Sequence, residues 1–178
     1  MKLNEHKQLR KTFISKYFNK FVYYDLEAKQ VLEHRPMGAL SKNIICFDSQ
    51  FEFEVFQVIK ARFPVNCIDF HFKLELKPKT QYSAPINYFV DFRVKTSEYS
   101  FLYIEAKGLM TKDASIKIKL LEVSRPAVRA NLIICSAKPE YYFGKHYPAS
   151  TSINLLDTIL GEFCAKHRRR RRRSRRPV

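Results

Sequence analysis

YFVDFRVKTSEYSFLYIEAKG occupies residues 88–108. Val90, Phe92 and Val94 alternate with Phe89, Asp91 and Arg93; Leu102, Ile104 and Ala106 alternate with Tyr103, Glu105 and Lys107. That is the period of a strand, whose successive side chains point to opposite faces. The polar run Thr96-Ser97-Glu98-Tyr99-Ser100 separates the two stretches, so the segment predicts a β-hairpin. With the turn centred near Glu98, Asp91 lies across from Glu105, where facing side chains sit about 4.5–5.5 Å apart. Two carboxylates that close repel each other, and a divalent cation removes the conflict. Lys107 shares the face of Glu105. An acid pair able to hold Mg²⁺, beside a lysine, is equipment for phosphodiester hydrolysis.

Upstream, Ser49 followed by Glu52 has capping-box spacing and opens a helix that stops before Pro64. Val55, Phe56, Ile59 and Phe63 form its inner stripe, and Glu52 shares that face. Glu52 therefore reads either as a cap alone or as a third acid reaching the region of Asp91 and Glu105. Residues 67–77 (CIDFHFKLELK) alternate and predict the first strand, in which His71 reads as structural. Downstream, residues 113–123 predict a helix with Ile116, Leu120, Leu121 and Val123 inward and Lys117 and Lys119 outward. Residues 131–135 (NLIIC) predict a short buried strand, and residues 153–163 a further amphipathic helix. Residues 1–24 are basic and aromatic, with a helical stripe of Leu9, Phe13, Tyr17, Phe18 and Phe21; residues 25–45 carry little periodic signal. The predicted fold class is α/β: an αβββαβ core whose mixed sheet is flanked by helices. Its last strand should run parallel to a hairpin strand through the 113–123 crossover.

The 178 residues carry a formal charge of +16, and the eight arginines of residues 167–178 account for half of it. The body is thus basic in its own right, which points to a polyanion partner. Only four glycines are present, and no phosphate-binding loop or dinucleotide motif occurs. The four cysteines, at 46, 67, 135 and 164, lack metal-ligand spacing and read as small hydrophobes with free thiols. No apolar run approaches a membrane span, so the partners expected are nucleic acids and not a membrane.

The order αβββαβ, with Asp91 followed by Glu105-Ala106-Lys107, resembles the PD-(D/E)XK nuclease superfamily. Ser49-Gln50-Phe51-Glu52 opening an apolar helix, then the strands Phe89-Val90-Asp91-Phe92 and Ile104-Glu105-Ala106-Lys107, is particularly similar to TnsA-type transposase endonuclease subunits. Phage-type Holliday-junction resolvases and some homing endonucleases share that core. The resemblance covers about Phe47 to Cys135, and departs from the pattern at Val90, where the superfamily usually has proline. It implies a restriction-endonuclease-like fold and a Mg²⁺-dependent DNA endonuclease, Mn²⁺ substituting, that hydrolyses phosphodiesters by metal-activated water. It implies Asp91, Glu105 and the Ala106 carbonyl as metal ligands, with Glu52 completing the acidic site. Lys107 would position or deprotonate water, or stabilise charge on the phosphate. Lys117 and Lys119 would contact phosphates.

The organisation expected is a basic N-terminal extension (1–45), a nuclease core (46–136), a helical extension (137–166) and a disordered Arg-rich tail (167–178). Arg168, Arg169, Arg170, Arg171, Arg172 and Arg173 form a like-charged run suited to sequence-indifferent binding of DNA or RNA. The expected setting is the cytoplasm or nucleoid, or a nucleus if the host has one. A homodimer or a partner recombination subunit is the protein partner considered. The competing reading is a non-catalytic nucleic-acid-binding protein that uses the Arg run for packaging or tethering.

Overall fold

The structure, a computed structural model, describes residues 20–108, 110–137 and 150–174. The predicted N-terminal helical stripe lies almost wholly outside them. Contacts divide the chain into two units, Met1–Phe53 and Glu54–Val178, at a boundary inside one continuous helix, α1 (Gln50–Lys60).

In the first unit, β1 (Val22–Asp25) is the centre of a three-stranded antiparallel sheet, with β2 (Gln30–Leu32) and β3 (Ile44–Phe47) on its two sides. Asp25 makes the first turn by accepting the N–H groups of Glu27 and Ala28 at 2.8 and 2.9 Å, and Lys29 completes it at φ 55°. Val22, Tyr24, Ile45 and Phe47 are buried, and Phe53 packs its ring 5.5 Å from those of Tyr24 and Phe47. This sheet corrects the sequence reading of residues 22–45 as helix end and featureless segment. Strands of three or four residues are too short to establish a period.

The second unit is built on a sheet of order β4-β5-β6-β7-β8. Strands β4 (Ile68–Lys77), β5 (Ile86–Lys95) and β6 (Phe101–Lys107) are antiparallel, while β7 (Leu132–Ser136) and the two-residue β8 (Ser150–Thr151) add in parallel. The β6-to-β7 connection passes through α2 (Lys112–Ser124) and the short α3 (Pro126–Ala130). The mixed sheet and the helices around it are the α/β architecture expected from the sequence. The hairpin register, Phe92↔Ile104 to Lys95↔Phe101, places position 91 opposite position 105.

Two helix assignments differ from expectation. On α2 the core-facing residues are Ile118 and Leu121, whereas Ile116 is 64% and Val123 82% exposed. Each of the two misassigned residues lies two positions from a buried one, about 200° around the helix. The last helix, α4 (Ile153–Ser174), continues through Arg168–Arg173 instead of giving way to the expected disordered tail. Arginine is a good helix former, and residues 153–163 provide a nucleus onto which each further residue adds one hydrogen bond.

The sheet changes phase in the middle of β4 and β5. Phe70 and Phe92 pack with Phe56 of α1, at centroid distances of 5.5, 6.4 and 6.0 Å for the three ring pairs. Leu74, Leu76, Tyr88 and Val90 instead share a core with Ile118 and Leu121 of α2, and Phe72 packs against that core. Strict alternation would keep Phe70 and Phe72 on one face. The switch falls at position 71, where His71 has φ 47°, and the β4–β5 ladder pairs Phe70↔Phe92 and Phe72↔Val90 without a His71–Asp91 rung. A left-handed residue inside a strand turns the following side chains over.

Candidate metal centre

Asp91 stands at this phase break, where β5 and β6 also part. The last hydrogen-bonded rung of the hairpin on that side is Phe92↔Ile104. Beyond it, side chains take over the backbone groups. Asp91 N–H donates to Glu105 Oε2 at 3.3 Å, and Ala106 N–H donates to Asp91 Oδ2 at 2.7 Å. The two carboxylates are thus held by reciprocal contacts to each other's strand.

Glu105 is fully buried, and its Oε1 is ion-paired with the Lys107 ammonium. Lys107 keeps 24% of its side chain exposed, so the pair reaches from the core to solvent. The predicted proximity of Lys107 to Glu105 is therefore a direct contact. Beside them lies the buried phenol of Tyr88, raised above its ordinary pKa first by burial and then by the negative charges of Glu105 and Asp91.

Glu52 sits on the first turn of α1 and is placed there by the helix itself. Ser49 Oγ accepts the Glu52 N–H at 3.1 Å, and Glu52 Oε2 accepts the Asp48 N–H at 2.8 Å. This is a capping interaction of the kind expected, reaching one residue further back. Glu52 is buried, and in the second unit one imidazole nitrogen of His71 and one carboxylate oxygen of Asp91 lie within 4.8 Å of each other. Metal–ligand bonds of about 2.1–2.3 Å would put such donors roughly 3–4.5 Å apart, so the two residues fit a shared divalent ion after small adjustments.

The expected site residues are therefore distributed as follows. Glu52 lies on the first turn of α1, and Asp91 meets His71 in a pair of potential metal ligands. Glu105 adjoins it through Asp91's backbone but directs its oxygens to Lys107 and to the Asp91 N–H. Ala106 enters through its N–H. Lys117 is bound to Asp113 at 2.9 Å one helical turn away, and Lys119 is exposed on α2. The side chains of Arg168–Arg173 lie outside the described residues. His71, read from sequence as structural, is the residue the structure places beside Asp91. It looks like one more position of an alternating strand, and nothing in the letters announces a left-handed backbone.

Residues 39–141, more than half of the chain, match the family model described as a protein of unknown function, DUF1064. The chain belongs to the DUF1064 family. Its matched segment contains Glu52, His71, Asp91, Glu105 and Lys107, so the candidate centre lies within the DUF1064 region. Comparison with curated proteins and with solved structures finds no match. No helix among the described residues is long and apolar enough to cross a membrane.

Proposed function

We propose that this DUF1064 protein is a divalent-metal-dependent DNA endonuclease of PD-(D/E)XK type, similar to TnsA-like, resolvase-like or homing enzymes. The observation that carries the reading is the meeting of His71 and Asp91 donors within 4.8 Å, one strand from the Glu105–Lys107 pair. Asp91, with Glu105 and the Ala106 carbonyl as further oxygen ligands, would hold the divalent ion. Bound there, the ion would supply a water of lowered pKa and charge to offset the phosphate.

The chain's own residues divide the remaining work. Ala106 N–H fixes the Asp91 carboxylate, so that ligand is positioned before substrate arrives. Lys107 reaches from Glu105 toward solvent, where its ammonium can hold the attacking water or meet charge developing on the phosphate. The basic body, Lys119 on α2 and the Arg168–Arg173 run would gather the DNA backbone by counterion release. The Arg168–Arg173 run on the continued α4 equally suits a packaging or tethering protein without catalysis, the second reading.

One assay separates them. The full chain is incubated with supercoiled plasmid and with branched DNA in Mg²⁺, Mn²⁺ or EDTA. Metal-dependent nicking, abolished by Asp91→Ala while gel-shift binding persists, supports the nuclease. Binding with no nicking in either metal supports the tethering reading.

A further inference from the structure

Resting on the metal-site reading above, we propose that His71 is itself a ligand, and that its nitrogen makes this centre select a first-row transition ion over Mg²⁺.

The geometry for this is specific. On a regular extended β4, position 71 would point away from the side of Phe70, which packs on Phe56 of α1. The φ of 47° at His71 breaks that rule and brings an imidazole nitrogen to the Asp91 carboxylate. A non-glycine residue in this region is disfavoured by roughly 1–2 kcal/mol. Here it sits at a rung missing from the middle of the ladder, opposite Asp91. Glycine or asparagine would hold the same backbone at less strain, but neither offers an imidazole.

The ligand chemistry then bears on the ion. Mg²⁺ takes oxygen ligands in a near-ideal octahedron and keeps several waters. Imidazole is a softer donor that suits transition ions, so replacing one oxygen by nitrogen shifts preference away from Mg²⁺. With carboxylate and imidazole donors together the centre is a mixed oxygen–nitrogen set. Mn²⁺ is the natural probe, because it is paramagnetic and also accepts the oxygen ligands.

The test uses the full-length protein loaded with Mn²⁺ and reads pulsed electron paramagnetic resonance. Wild type should show ¹⁴N modulation from a directly bound imidazole. His71→Asn, which tolerates the left-handed backbone, should lose that modulation, bind Mn²⁺ at least tenfold more weakly, and lose most of its preference for Mn²⁺ over Mg²⁺ in competition titrations. Bound Mn²⁺ without ¹⁴N modulation in wild type, or an unchanged preference in a folded His71→Asn protein, overturns the role of His71 and leaves an all-oxygen centre standing. Absence of any stoichiometric Mn²⁺ binding overturns both the role of His71 and the metal-site reading beneath it.

Discussion

Replacing Lys107 by methionine would leave the Glu105 carboxylate buried without its ammonium. Glu105 is fully buried and Lys107 is 24% exposed, so the pair lies closer to the buried limit than to a surface ion pair. Removing one partner of a buried pair destabilises by about 3–5 kcal/mol. Two features reduce that figure here. Glu105 keeps the Asp91 N–H, and water can enter the outer part of the space that Lys107 vacates. The expected loss for Lys107→Met is therefore about 2–3 kcal/mol, or roughly 4–12 °C in Tm for a chain of this length. Glu105→Gln/Lys107→Met removes both charges with little change of shape, and should return to within about 1 kcal/mol of wild type. The assay is urea unfolding followed by circular dichroism in EDTA, for the wild type, both single variants and the double variant. A stability for Lys107→Met within about 0.5 kcal/mol of wild type, or losses that simply add in the double variant, would refute the pairing argument.

Three further outcomes follow from the packing. Phe92→Ala empties the space between Phe56 and Phe70 and should lose about 3–5 kcal/mol in urea unfolding, with a loss under about 1 kcal/mol speaking against that aromatic cluster. Ile118→Ala should cost about 2–4 kcal/mol and Ile116→Ala at most about 0.5, and the reverse order would show that α2 presents its other face. Burial pushes the Cys135 thiol up to about 12, so in native protein at pH 8 it should resist Ellman's reagent until the chain unfolds. Because the folded pKa is the higher one, the stability tied to this thiol is complete below its ordinary range near pH 9 and is lost as pH climbs toward 12; rapid native labelling of Cys135 would contradict this.

What the sequence made legible was whatever obeyed one period for long enough. The β5–β6 hairpin has two alternating runs and a polar turn, so its register, and with it the Asp91–Glu105 opposition, could be worked out from spacing alone. The start of α1 was legible because Ser49 and Glu52 carry a cap's chemistry at a cap's spacing. The small sheet of β1, β2 and β3 was not, since three or four residues do not distinguish a strand from a loop. In α2 apolar residues occupy both faces, so Ile116 and Val123 looked as inward as Leu121, and Ile118 was passed over. The phase break at His71 is the most informative miss. Phe70, Phe72 and Leu74 continue the same alternation in the letters although the chain turns over between Phe70 and Phe72. Composition cannot reveal a phase break whose two halves are both apolar on even positions.

A divalent ion is expected where β4 and β5 lose their rung. Crystals soaked in Mn²⁺ and measured at a wavelength where manganese scatters anomalously would locate it. The expected result is an anomalous peak about 2.1–2.3 Å from an Asp91 carboxylate oxygen, with His71 in the same coordination shell. A peak elsewhere on the protein, or none at an occupancy that saturates binding in solution, would contradict it.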